Sequence, residues 1–400
     1  MLAGAGLYRW RKVGSLCGET LVSDVLGLQK IMSTFDIAPR PPARLGYLDG
    51  LRGWAALVVC IFHASWQLFG TNLPGVRLDA LGFFNNGFLA VFVFFVLSGV
   101  VLCQPFLRTG DLRRLQRMAI GRYPRLAIPV AASLLIAVLM SLAGLDFADG
   151  ASSVAGRDNG MYGIFLQPHV GLLQWPKLAL YSSFFYSEQI GYFYPVLWTM
   201  PIEIAGSFML FGGLALLGHR FVTRLLGYGV GLVLCWQGAP NLSGFVAGAM
   251  ISEFIASRAH GSRWRLRLGD AIAAVLLAGA FAAATLHHGP PNSRLFTPIA
   301  IPIVLAVVLS PRLQWLLECR VSRFLGQVSF PLYLVHMLVI VGPGSWAIVW
   351  LDAAGVSLPV IAAVVMPAVL VVSVLLAWLF LPVERFAVVA SHAIARAVLP

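Results

Sequence analysis

Charge is what this chain has least of. Asp, Glu, Lys and Arg together make up 11% of its 400 residues, where a soluble domain carries about 25%. Acids are the scarcer half, 16 against 28 Lys and Arg. A chain this poor in charge and 59% hydrophobic reads as a multi-spanning membrane protein. Cysteine is thin as well. Cys17, Cys60, Cys103, Cys235 and Cys319 stand apart with no C-x-x-C spacing, so neither a disulfide framework nor a cysteine metal motif follows. The short alternating runs of a membrane barrel are missing, which leaves an all-α bundle. The 40 Gly and 23 Pro are tolerated in membrane helices, where neighbours satisfy the freed backbone groups. A net charge of +12 would suggest nucleic acid only with a basic patch on a soluble reading module. Here the cations lie between apolar runs, and no nucleic-acid partner is expected.

Set against the ~20 residues a bilayer-crossing helix needs, the apolar runs predict about ten spans. They lie at 51–70, 86–106, 126–145, 196–217, 222–238, 241–257, 269–287, 297–310, 324–342 and 358–381. Placing the amino terminus in the cytosol leaves only Arg77, Arg157, Lys177 and Arg294 outside, of 28 Lys and Arg. Because Lys and Arg are retained on the cytoplasmic side, both termini are expected there, in a multi-pass protein of the cytoplasmic (plasma) membrane. Residues 1–45 are expected to be a cytoplasmic tail without a cleaved secretory signal, Met32 being an equally good start. Residues 46–385 form the transmembrane domain. Residues 386–400 are a short tail, with apolar residues at helical spacing beside Arg396, laid on the inner leaflet. The connection from Asp146 to Pro195 is far longer than the others and ends in the aromatic-rich YSSFFYSEQIGYFYPVLW. It reads as an outer loop, its rings an interfacial belt or a platform for an acceptor.

Ionisable side chains inside such runs need partners or a wet cavity, and so mark sites. In YLDGLRGWAALVVCIFHASW, Arg52 and His63 are eleven residues apart, which returns to nearly the same helix face ~16 Å further on. RYPR sets Arg122 and Arg125 on one face beside the third span, and guanidinium forks match phosphate oxygens. LWTMPIEIAGSF buries Glu203, and GQVSFPLYLVHMLV puts Ser329, Tyr333 and His336 on one face. Counted along their spans, His63, Glu203 and His336 all fall about 16–18 Å deep in a ~30 Å core. They are expected to meet near the midplane, with Arg52, Arg122 and Arg125 at the inner mouth. Ser98 and Ser329 lack the G-x-S-x-G turn of a nucleophile. Adjacent His287 and His288 do not face one ligand on a helix, so no metal is expected.

These stretches resemble acyltransferase family 3. The resemblance rests on D-G-L-R followed after ten residues by His63, the FVFFVLSG of Phe92 to Gly99, R-x-x-R, Trp198-Thr-x-x-x-Glu203, and G-x-x-S-F-x-x-Y-L-x-H ending at His336. These motifs fall in the family's order across roughly residues 47 to 385. Many members follow the glutamate with a second acid and a Phe-Tyr pair, where Ile204, Gly206 and Ser207 stand here. The resemblance implies a membrane O-acyltransferase with acyl-CoA, commonly acetyl-CoA, as donor and no bound cofactor. Arg52, Arg122 and Arg125 would hold the donor's nucleotide end, with His63, Glu203 and His336 catalytic. Asp49, Ser98, Trp198, Ser329 and Tyr333, inside or beside the motifs, are the candidate substrate-binding residues. The acceptor is expected to be a hydroxyl of a sugar, glycolipid or small metabolite. His63 would act as general base or as acyl relay. A proton-coupled transporter would bury the same histidines and glutamate.

Overall fold

The computed structural model describes residues 45–77, 83–155, 170–186, 193–258, 266–287 and 289–399, and every regular element among them is helical. Helix α1, Gly46–Phe62, runs without a break into a π-helical turn, His63–Gln67. Such a turn holds one extra residue and often marks a functional site. Helix α2, Gly87–Thr109, starts at Asn86, whose side chain accepts from the Leu89 N–H at 2.9 Å, an ordinary N-cap. It stops at Gly110, in the left-handed conformation at φ 67°, as a C-terminal glycine allows. Helix α3, Leu112–Leu142, is capped by Asp111. The arginine-rich stretch between the second and third expected spans is therefore its first turns, and Arg122 and Arg125 share one helix, as their spacing predicts.

The other long helices are α4 (Thr199–Leu217, led by a 3-10 turn Pro195–Trp198), α5 (Phe221–Gly238), α6 (Pro240–Arg258) and α7 (Leu266–Leu286). They are followed by α8 (Phe296–Leu309), α9 (Arg320–Val339), α10 (Leu358–Leu379) and α11 (Leu381–Val398). Among the described residues 6 helices are long and apolar enough to cross a membrane. The number rises to 7 if Phe296–Leu309 and Pro311–Leu317, bent by 94°, form one span. The expected tally of about ten is not reached, for a physical reason. The first, fifth and sixth predicted spans are helices, but polar groups such as Asp49, Arg52, His63, Arg224 and Glu253 lower their mean hydropathy.

Three packings position the site: α1 against α9, α2 against α6 and α3 against α11. In the first, a Cβ on Gly53 would overlap the backbone of Leu325 and Gly326, and one on Gly326 would overlap Asp49. Small residues let membrane helices approach this closely. The residues expected as a C-terminal tail belong to α11, an amphipathic helix that lies along α3.

The long connection packs on the bundle over part of its length. Its segment Trp175–Phe185 does not stand clear of the bundle. Trp175 Nε1 donates to the Ala131 carbonyl at 2.9 Å, the Tyr123 hydroxyl donates to the Leu180 carbonyl, and the Tyr123 ring packs on Phe184 at 5.3 Å. The segment thus descends beside α3 for about two helical turns. Tyr194 turns inward, its hydroxyl donating to the Leu334 carbonyl at 2.7 Å. Tyr192 lies outside the described residues.

Candidate active site

Three cavities adjoin one another between these helices. The largest, about 610 Å³, is lined by Asp49, Arg52, Ser98, Arg114, Arg117, Arg122, Arg125, His392 and Arg396 among others. A second, about 110 Å³, shares Arg52, Ser98, Arg122 and Arg125 with it and adds Thr199, Glu203, Tyr333 and Glu384. A third, about 40 Å³, holds His63 with Val59, Phe62, Phe88, Pro195, Val196 and Trp198, and shares Val91 and Tyr333 with the second. Shared walls thus lead from a basic vestibule, through a chamber with a carboxylate, to the face of an imidazole. Tyr333 and Val91 are the partition before the last step.

In the middle chamber Arg122 Nη2 meets Glu203 Oε2 at 2.5 Å and Arg122 Nε donates to Ser207 Oγ at 2.8 Å. The Ser98 hydroxyl donates to the same carboxylate at 3.1 and 3.3 Å. Charge-assisted hydrogen bonds of this kind offset the cost of burying both charges. Glu203 lies eight residues into the run that begins at Pro195, and Arg122 ten residues into α3, so the two meet deep in the bundle. Arg52 is held from two sides, by Asp49 at 3.3 Å and by donation from Nε to Ser329 Oγ at 3.0 Å. Ser329, fully buried, in turn donates to the Gly326 carbonyl at 2.9 Å. The Arg52–Ser329 bond crosses the α1–α9 contact.

The two histidines meet as expected. Their ring centroids are 5.0 Å apart. Nδ1 of His63 lies 2.8 Å from the Val59 carbonyl and Nδ1 of His336 3.0 Å from the Leu332 carbonyl. A carbonyl only accepts, so each Nδ1 carries a hydrogen, and in a neutral ring that leaves the lone pair on Nε2. The Nε2 of His336 is buried without a hydrogen-bond partner among the described residues. Such an atom calls for a functional explanation. Glu203 is not part of this pair; it is bonded to Arg122 and separated from the histidines by the Tyr333 partition. The expected meeting of all three does not occur, because helix α4 turns Glu203 toward Arg122 of α3.

Tyr333 is itself fixed. Its hydroxyl donates to the Val196 carbonyl and accepts from the Thr199 hydroxyl at 2.7 Å. Trp198 lines the His63 cavity. Sequence reasoning missed Thr199, Glu384 and the α11 residues His392 and Arg396. The signal for the last two was the helical spacing of apolar residues between Arg385 and Arg396, which gives a face able to pack on protein as well as on lipid. Elsewhere, His287 Nε2 lies 2.8 Å from Ser293 Oγ, and His288 lies outside the described residues. No cluster of three metal-ligating side chains occurs among the described residues.

The profile of acyltransferase family 3, described as an acyltransferase domain, matches residues 45–380. The chain belongs to acyltransferase family 3. One curated relative is the O-acetyltransferase PaAT-1 of Phomopsis amygdali, 22% identical over 360 aligned residues that cover 72% of this chain and 71% of the relative. No solved structure matches. The enzyme is thus an acyltransferase built of membrane-type helices. Its departure from the common family pattern after the glutamate lands in the site. Ser207 bonds Arg122, and Gly206 leaves room for the Phe245 ring, which a Cβ would meet at 2.6 Å.

Proposed function

We propose that this acyltransferase is a multi-pass protein of the cytoplasmic membrane with about ten spans and both termini in the cytosol. It moves a short acyl group, acetyl by preference, from cytosolic acyl-CoA to a hydroxyl of a carbohydrate, glycolipid or exported metabolite. The observation that carries this reading is the run of three adjoining cavities from guanidinium groups to imidazole. A donor with phosphates at one end and a thioester on a long arm has the same polarity. The nucleotide end occupies the basic vestibule, the arm passes Arg122 and Glu203, and the thioester reaches His63 once Tyr333 yields.

There the lone pair on His63 Nε2 takes the proton of the acceptor hydroxyl as its oxygen attacks the thioester carbonyl. The carbon–sulfur bond breaks, the ester forms, and the coenzyme leaves as thiol after taking the proton back. His336, whose ring abuts His63, steadies the imidazolium that forms between these events. The cavity at His63 supports a short acyl group. One water needs roughly 10–15 Å³ in the same measure, so about 40 Å³ is a small space that favours a short acyl group over a long chain.

His63→Ala abolishes transfer while detergent-solubilised protein keeps its elution profile and helicity; full activity in that variant overturns the mechanism. Rapid mixing with labelled donor and no acceptor separates the two forms of it, since stoichiometric acyl-protein is the mark of a covalent relay through His63. The paired histidines would also serve proton-coupled transport, which predicts accumulation in sealed vesicles and no donor turnover. Family membership favours transfer.

A further inference from the structure

Arg122 and Arg52, both expected to take the donor's phosphates, hold partners of their own. Arg122 is bonded to Glu203 and Ser207, and Arg52 to Asp49 and Ser329. The vestibule nevertheless carries a further set of cations. Arg114 and Arg117 of α3 line it on one side, and His392 and Arg396 of α11 on the other. Asp49 is the one acid lining the vestibule among the described residues, and it faces Arg52 at 3.3 Å. The two helices are tied at this level. Arg117 Nε donates to the Leu399 carbonyl at 3.2 Å, and a Cβ on Gly121 would sit 3.3 Å from the Ser391 carbonyl oxygen. Helix α11 therefore runs antiparallel to α3, from Glu384 at the middle chamber to Arg396 at the far rim of the vestibule.

Resting on the acyl-CoA reading above, we infer that α11 is one wall of the donor site. Arg396 and His392, opposite Arg114 and Arg117, grip the phosphates of the nucleotide end. A cleft lined by one sign of charge concentrates a polyanion, and guanidinium forks bind phosphate oxygens in pairs. Coenzyme A carries phosphate at two places, a bridging diphosphate and a ribose phosphate. The rim cations supply a second locus beyond Arg52 and Arg125, at the end of the vestibule farthest from His63.

The test compares two donors with the same thioester, acetyl-CoA and acetyl-pantetheine, which lacks the nucleotide. For Arg396→Ala the expected result is a KM for acetyl-CoA raised about tenfold, kcat within twofold, and no change with acetyl-pantetheine. Arg396→Lys recovers most of the loss. Arg385→Ala, on the same helix but lining none of the three cavities, leaves KM unchanged. Adenosine 3′,5′-bisphosphate competes with acetyl-CoA in the native protein and loses about tenfold in potency in Arg396→Ala. An unchanged KM for acetyl-CoA, or an equal rise with both donors, overturns the assignment. A native protein that turns over acetyl-pantetheine but gains nothing from the nucleotide end overturns it too. One that uses neither thioester overturns the acyl-CoA reading itself.

Discussion

Two buried arginine–glutamate pairs invite comparison. Arg122–Glu203 and Arg224–Glu253 both close at 2.5 Å. The second is saturated. Arg224 Nη2 reaches the other carboxylate oxygen at 3.1 Å, Nη1 donates to the Gly218 carbonyl at 3.0 Å, and the Tyr228 hydroxyl donates to Glu253 at 3.3 Å. It joins α5 to α6 and lines none of the three cavities. The first pair faces open space on the path to His63. Burial of opposite charges is thus no sign of chemistry by itself, since a well-satisfied pair is also a way to pin two helices. What separates the pairs is access.

Replacement of the two acids is the sharpest way to break that comparison. Glu203→Gln is expected to raise the acetyl-CoA KM by about tenfold, because the carboxylate orders Arg122 where the donor's arm passes. Its melting temperature should fall little, because the adjoining cavity lets water solvate Arg122. Glu253→Gln should do the reverse. It loses about 3–5 kcal/mol of stability, as when one partner of a buried pair is removed, yet keeps its activity per folded molecule. Similar effects at both positions would erase the distinction.

A smaller effect is expected at the far cavity. Phe88→Ala enlarges the space beside His63 and should raise use of propionyl over acetyl donors by about tenfold, the worth of one methylene in an apolar pocket. Tyr333→Phe removes the bonds to Val196 and Thr199 that hold the partition. It should cost about 1 kcal/mol of stability and change kcat more than the acetyl-CoA KM.

The mildest test asks which side is which. Hydrogen bonding with Ser322, through its hydroxyl and then its backbone N–H, holds the Cys319 thiol below the usual range, whereas Cys60, Cys103 and Cys235 are buried. In a protein with Cys17 replaced, an impermeant maleimide should label Cys319 first, at neutral pH, and only from the cytosolic side. Labelling from outside reverses the proposed orientation.

The helical class, the α1 stripe and the meeting of His63 with His336 were legible in the sequence, because spacing along one helix encodes face and depth. Which helix a face turns toward is not encoded that way. A depth count puts Glu203 level with the histidines, but its carboxylate looks at α3 and bonds Arg122, so the count alone misplaced it. Arg122 was placed beside the third span, outside it, because its neighbours are charged. The Asp111 cap carries the helix through those residues and sets Arg122 deep enough to reach Glu203. The α11 wall was hidden for a related reason. An amphipathic stretch with arginines suits a lipid headgroup layer and a protein cleft equally, and only packing against α3 decides between them.

The crossing of α1 and α9 at Gly53 and Gly326 has a mechanical corollary. With backbone pressed on backbone there, the crossing acts as the rivet of a pair of scissors, and the blades are the stretches bearing Arg52 on one side and the two imidazoles on the other. A single methyl placed at the rivet would push the two blades apart and shift one ring against the other, from a point more than a dozen ångströms from the reacting atoms.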